Sequence, residues 1–341
     1  MQYAKSRVVI QGASRSVHDY GSTEYGEPTS SRAWTGTRVC VGTRRWRVVL
    51  LVLVSFGVWK GLVEPMESPG PYHQGPPVLR RTISELKARP RVGDEVRELV
   101  IVPGRAVYVG SNFILAKDDS NWVMDSDSGV LEGQAKTLTE HMETGMKEVA
   151  NNPNAMLLFS GGKTCRSAGA LSQASSYWQV CKALDWFGVD AEVRARVFTE
   201  EYARDSFENL FFSVNRFYEL TRRFPEKITI VGSRERRQRF EKLHLEAIAY
   251  PEANFTYVET VALDEKKIET EEANMLAAFQ RDPYGCRGKL AENRLARDPF
   301  NDGIPYSTNV KVLSGLWVHV NTCPPHIFKG LLPWSKGVLV V

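Results

Sequence analysis

The chain has 341 residues, 43% hydrophobic and 25% charged, with a formal net charge of +4. This is globular composition, with room for one large domain and attachments. The positive excess sits in residues 1–63, which carry nine Lys/Arg against three acids, while the rest of the chain comes to −2; that argues against nucleic acid as the partner of the main domain.

Residues 1–47 are rich in Ser, Thr, Gly and Arg, with little apolar periodicity, and are expected to form a disordered basic tail. Val48 to Trp59 carries no charge. Alone it is short of the ~20 residues of a bilayer span, but Trp46 to Val63, with Arg47 and Lys60 reaching toward headgroups, gives about 18. Arg44, Arg45 and Arg47 flank one side and Glu64 and Glu67 the other. The expectation is a retained signal anchor over 48–63, making a single-pass membrane protein with its N-terminus cytosolic and its domain lumenal, in Golgi or endoplasmic reticulum. A hydrophobic helix packed on the domain, or a mitochondrial-type presequence, stays open. Residues 64–96 begin with a Pro/Gly-rich stretch and read as a linker.

From about residue 97 strand and helix signals alternate. Leu99-Val-Ile-Val102, closed by Pro103-Gly104, reads as a buried parallel strand; 121–133 reads as loop. Leu138, Met142, Met146 and Val149 predict an amphipathic helix over 134–151. Ala155 to Ser160 is a second buried strand. It runs into Gly161-Gly162, where glycine permits a tight turn and close ligand approach. Helices are expected over 167–187, closed by Gly188, and over 205–223, begun by Asp205 or Ser206. Strands are expected over 193–198, 227–231 and 255–258, and further helices over 234–249 and 265–280. The fold class is therefore α/β: a Rossmann-like, doubly wound, mainly parallel sheet over 97–281 with helices on both faces, followed by an extension over 282–341.

Ligands of such sheets bind beyond the strand carboxyl ends, and three ends here are polar or glycine-rich: Ser160-Gly161-Gly162, Glu200-Glu201 and Gly232-Ser233. They are expected to converge on one crevice taking a nucleotide-like or anionic small molecule. Ser160, Gly161, Gly162, Lys163 and Thr164 would meet the anion at the following helix start. Glu200, Glu201, Glu208 and Asn209 would fix hydroxyls, and Arg239 charge. Ser206 and the acids beside it also suit a plain helix cap, and the basic run Arg234–Arg239 a solvated face. Gly162-Lys163-Thr164 resembles the end of a phosphate-binding loop, but Leu157 stands where its first glycine belongs, so a nucleotide triphosphatase is excluded. No GxSxG, HExxH or GxGxxG is present. Of the cysteines, Cys165, Cys181, Cys286 and Cys323 are read as free core thiols, or as disulfides in an oxidising lumen; their spacing gives no metal site. Asn254-Phe-Thr256 is a glycosylation sequon.

Taken together, Leu158-Phe-Ser-Gly-Gly162, Ser172-Gln-Ala174, Glu200-Glu201 with Ser206-Phe-Glu-Asn209, and Gly232-Ser233 with Arg236 and Arg239 resemble the pattern of the domain-of-unknown-function 218 (DUF218) family, the YdcF/SanA-like proteins. The likeness covers about 99–260. Gln173 replaces a glutamate, Ser206 a threonine, and Arg236 stands near a usual histidine. Asp282-Pro-Tyr-Gly-Cys286, Asp298-Pro-Phe300 and Pro305-Tyr306 look like the extension of a fungal, membrane-anchored branch. The resemblance implies a Rossmann-like fold with a polar crevice and, from a bacterial member, possible S-adenosylmethionine binding; it implies no general reaction. The Gln173 replacement removes a carboxylate, which would impair this copy if that group were a general acid or base. A non-catalytic scaffold of the endomembrane system is the alternative function. The apolar, poorly punctuated residues 310–341 are read either as a packed extension or as a stretch foreign to the fold.

Overall fold

Leu99-Val-Ile-Val102 has no polar position, so as a strand it suits only a site covered on both faces. In the computed structural model it is the centre of the sheet. Residues 93, 95–124, 133–260 and 265–335 are described, all within one compact unit, Leu79–Val341. The expected tail and anchor, and nearly all of the linker, lie outside them. Among the described residues no helix is long and apolar enough to cross a membrane.

The strands are β1 (Glu98–Pro103), β2 (Ala106–Tyr108), β3 (Trp122–Met124), β4 (Ala155–Ser160), β5 (Val197–Glu200), β6 (Lys227–Ser233) and β7 (Phe255–Thr260). Five form a wholly parallel sheet in the order β5-β4-β1-β6-β7. Its register aligns the carboxyl ends: Pro103 lies opposite Ser160, and Ser160 opposite Glu200. The helices are α1 (Gln134–Ala150), α2 (Gln173–Ala183), α3 (Ala191–Arg194), α4 (Ser206–Thr221), α5 (Leu245–Ala247), α6 (Glu265–Arg281), α7 (Gly288–Ala296), α8 (Tyr306–Asn309) and α9 (Ser314–Thr322).

Alternation along the central strands splits the core. Val100, Val102, Leu157 and Phe159 face α1 and α2 through Leu138, Met142, Met146 and Tyr177. Leu99, Ile101, Met156 and Leu158 face α4 and later segments through Phe207, Leu210, Phe211, Phe240 and Trp317. Each such side chain contributes about 1.5–3 kcal/mol of burial. The sheet is thus covered on both faces, and the chain is an α/β, Rossmann-like, doubly wound domain. The order reverses at β1: successive strands add toward β5, then return through α4 to β6. That switch point is where such sheets open a crevice.

Several expected elements differ. The 121–133 loop contains β3, paired antiparallel with β2 by Trp122 against Tyr108; three-residue strands are too short to show a period. The strand expected at 193–198 begins only at Val197. Asp190 accepts from the Val193 amide and starts α3 instead. Strands β6 and β7 run two residues beyond the expected ends. The helix expected from Ser167 begins at Gln173, capped by Ser172, and stops at Ala183; Trp186, Phe187 and Gly188 follow in left-handed conformations. Arg234–Ala249 is not one α-helix. It is a 3-10 turn, Arg234–Arg236, then a π-helical turn, Arg239–His244, then α5. The i→i+5 bonding of the wide turn puts Arg239 and His244 together on the buried side. Cys286 and Cys323 form a disulfide across 37 residues, against the free-thiol reading; Cys165 and Cys181 are free. The pairing was hidden because it depends on where the extension folds back. That extension is packed: Trp317 donates to Asn215 at 3.1 Å, and Leu313, Leu316, Leu332 and Trp334 are in the core.

Candidate functional site

The glycine corner after β4 is closed by its own chain. The Gly161 amide donates to the Glu200 carbonyl at 2.9 Å and the Gly162 amide to Ala203 at 2.7 Å. The first amides of α2 are taken as well, Gln173 by the Gly162 carbonyl and Ala174 by Gly161. An anion cradle needs free N–H groups at a helix start, and these are spent. Glycine is required here for packing: a Cβ on Gly161 would stand 2.3 Å from Gln173 Oε1 and 2.9 Å from its Cβ, and one on Gly104 2.7 Å from that same Cβ. Gln173 Nε2 donates to the buried Thr164 hydroxyl at 3.0 Å, and Lys163 pairs with Asp302 at 3.0 Å.

The acids are spent too. Glu200, fully buried, accepts from Ser160 Oγ (2.7 Å), Tyr306 Oη (3.0 Å) and the Tyr202 amide (2.8 Å). Burial outweighs these bonds and pushes its carboxyl up to about 7. Glu201 accepts from Ser172 and Thr199, each at 2.8 Å, and with Lys163 edges a separate depression of about 410 Å³. Glu208 is clamped between Arg204, which donates twice from its side chain (3.0 and 2.7 Å), and Arg294 at 3.2 Å. A Cβ on Gly232 would meet Tyr257 Oη at 2.6 Å, and Ser233 Oγ lies 3.4 Å from His141 Nε2.

The strand ends at Gly162, Glu201 and Ser233 do share one edge and one direction, but β1 separates the first two from the third. The open space lies around β1. A cleft of about 340 Å³ has Gly104 and Arg105 from the end of β1, Gln173 from α2, Ser206 and Asn209 from α4, and Arg236 and Arg239 after β6 among its walls; Lys289, Asn293 and Arg297 close it from the extension. So of the residues singled out from sequence, Gln173, Ser206, Asn209, Arg236 and Arg239 line it. Ser160, Gly161, Gly162, Lys163, Thr164, Glu200, Glu201, Glu208, Gly232 and Ser233 do not.

The cleft holds six cationic side chains (Arg105, Arg204, Arg236, Arg239, Lys289, Arg297) against three acids (Asp205, Glu235, Glu272), so its lining carries a positive excess. Several of its polar atoms are buried without a hydrogen bond: the acceptors Asn209 Oδ1, Glu235 Oε2 and Glu272 Oε1, and the donors Arg105 Nε and Nη1 and Arg239 Nε. Arg105 faces Glu235 at 3.5 Å, and burial with the neighbouring Arg236 charge lowers its guanidinium to about 9. Arg239 pairs with buried Glu272 at 2.9 Å; burial lowers the arginine and raises the glutamate. Such orphaned donors are costly, about 1–3 kcal/mol each, and are what an anionic guest would satisfy. At the start of α4 the cap, Asp205, takes the Glu208 amide at 2.8 Å, while the amide of Ser206, in the cleft wall, has no hydrogen bond among the described residues.

Asp205 is held by Arg294 of α7, which also donates to the Tyr284 carbonyl at 2.8 Å. Ser206 Oγ lies 2.7 Å from Nε2 of His244, a fully buried ring whose charged form is strongly disfavoured by burial and by Arg239 and Arg294. His141 is lowered to about 3 by burial and by Arg105 and Arg236. Sequence reading missed Arg105, His244 and Arg294. Arg105 carried one signal, its place immediately after the Pro103-Gly104 stop of a wholly apolar strand; the others are marked only by three-dimensional contact.

Fold and cleft together define the class: a switch-point α/β protein with a cation-rich crevice. The chain is 27% identical over 282 residues to an uncharacterized protein of Saccharomyces cerevisiae, spanning 64% of this chain and 88% of that protein. No family model matches the chain, and no solved structure matches it.

Proposed function

We propose that the chain is a DUF218-type protein that binds an anionic, nucleotide-like small molecule in the cleft at the ends of β1 and β6. The observation that carries this reading is the set of buried, unbonded donors on Arg105 and Arg239 beside the free Ser206 amide at the start of α4. Calorimetry on the full chain with inorganic phosphate, pyrophosphate and a nucleotide panel tests it: saturable binding, weakened by Arg105→Ala, is expected. No heat from any of them on folded protein ends the reading. S-adenosylmethionine, suggested by the resemblance, fits this cleft poorly, because its sulfonium adds positive charge where cations already outnumber acids. It belongs in the same panel as a weak or silent ligand.

The reading includes a membrane anchor over 48–63 and a lumenal domain. Cys286–Cys323 suits an oxidising compartment, and Asn254 of the sequon is exposed. An endoglycosidase mobility shift that disappears in Asn254→Gln is expected, as is a Cys286–Cys323 pair resistant to alkylation until reduced.

The scaffold reading has its own support, since Glu200, Glu201 and Glu208 are all engaged internally. It predicts that variants of the cleft lose function only as far as they lose stability.

A further inference from the structure

His244 is hard to account for as packing. Its Nδ1 has no hydrogen-bonding partner, and the ring is boxed by aromatic groups: Phe279 edge-on at 4.5 Å between centroids, Phe240 at 5.3 Å and Phe207 at 6.1 Å. A buried imidazole ordinarily satisfies both nitrogens. Here the sole polar contact is Ser206 Oγ, at 2.7 Å, and Ser206 stands in the wall of the cleft. The two come from separate segments, the first turn of α4 and the π-helical turn, so the meeting is built by the fold and not by local sequence. The other serine–histidine contact, Ser233 to His141, is longer at 3.4 Å and does not line the cleft.

Resting on the reading of the cleft as an anion site, we propose that Ser206 is a nucleophile with His244 as its general base, and that the substrate is an acyl ester whose alcohol half carries a phosphate. The phosphate answers the unbonded donors of Arg105 and Arg239; the carbonyl lies at the start of α4. Ser206 Oγ bonds to the acyl carbon while its proton passes to His244 Nε2. The carbonyl π pair moves to oxygen, where the amide of Ser206, in the cleft wall, is the available donor. The oxyanion then collapses, the bond to the alcohol oxygen breaks, and His244 returns the proton to that oxygen. Water next attacks the acyl-serine, giving a proton to His244. The carboxylic acid departs, and Ser206 recovers its hydrogen. Burial keeps His244 neutral, and in the tautomer with its proton on Nδ1 the Nε2 lone pair faces the hydroxyl; the same burial, with Arg239 and Arg294, opposes the imidazolium that the step forms. With no carboxylate on Nδ1 to orient the ring, turnover is expected to be slow beside that of a full triad.

The test is covalent labelling of the full-length chain with a fluorophosphonate, read by intact mass and peptide mapping. One adduct per chain is expected, at Ser206. Ser206→Ala abolishes it, His244→Gln slows its formation about a hundredfold, and saturating inorganic pyrophosphate protects against it. No adduct, or an adduct that survives Ser206→Ala, overturns the proposal. Should His244→Gln unfold the chain, the Ser206→Ala and protection arms still decide. Phosphate or pyrophosphate binding without labelling sinks the serine chemistry and leaves the cleft reading standing; loss of both removes both.

Discussion

Two polar corners sit on the carboxyl edge of one sheet, a strand apart. After β4, Ser160-Gly161-Gly162 meets Glu200 and Gln173; after β1 and β6, Arg105, Arg236 and Arg239 meet the start of α4. In composition the first is the better candidate, with glycines, a serine, a lysine and two glutamates. In bonding it is saturated: the Gly161, Gly162, Gln173 and Ala174 amides and the Glu200 carboxylate all have partners inside the chain. The second has buried valences left over on Arg105, Arg239 and Asn209. Residue types alone do not separate a brace from a binding site. Whether the polar groups are already satisfied does.

The sharpest way to break this contrast is at Glu200. Glu200→Ala strips partners from Ser160, Tyr306 and the Tyr202 amide, and is expected to cost about 4 kcal/mol in urea unfolding with the phosphate affinity of the surviving fold unchanged. Lost affinity in a fully stable Glu200→Ala would reverse the roles of the two corners.

The same residue gives a pH signature. Its folded value, raised to about 7, lies above the unfolded one near 4.5, so its contribution is complete below 4.5 and drains away as pH climbs through about 7. Relative to Glu200→Gln, which cannot titrate, the wild type is expected to lose about 2 kcal/mol between pH 5 and 8, measured by urea melts at each pH. Parallel profiles would mean that Glu200 stays charged throughout.

At the other corner the two effects exchange. Arg105→Ala is expected to weaken phosphate binding about thirtyfold, or about 2 kcal/mol, through lost charged hydrogen bonds. Its thermal midpoint should shift little, because removal of a desolvated, under-bonded guanidinium is set against the Glu235 carboxylate left without its partner. A variant that melts early while binding normally would make Arg105 a structural residue after all.

The smallest effect tests the steric role of the glycines. Gly161→Ala drives a methyl into Gln173 and is expected to cost about 1 kcal/mol, recovered in part by adding Gln173→Ala. Thermal melts of the single and double variants decide, and additive losses would show that the two side chains do not collide.

Much of the sheet was legible because a central parallel strand must be apolar on both faces, and Leu99–Val102 and Ala155–Phe159 have no other home. Element ends were harder to read where the signal was a single cap, as at Asp190, or where the helix widened, as at Arg239–His244. Within the site, Ser206, Asn209, Gln173 and Arg239 were visible because they sit at strand exits or first turns. Arg105 and His244 were not: the one local signal of Arg105 is its place after the Pro103-Gly104 stop, and both residues acquire meaning from distant neighbours such as Glu235 and Ser206. The expectation of an anion at Ser160–Thr164 meets bonded amides for the same reason: sequence shows which amides could be free, and only tertiary contacts show which ones are.

Arg294, which sits in α7 and neutralises Asp205 and Glu208, bears on how the gene can be trimmed. A recombinant fragment ending at Arg281 would keep every strand yet leave Asp205 without its counter-charge and Glu208 to Arg204 alone, and remove the wall formed by Lys289, Asn293 and Arg297. Expression boundaries therefore belong beyond Trp334, and a homologue lacking this tail would have to re-engineer its first α4 turn to balance the same carboxylates.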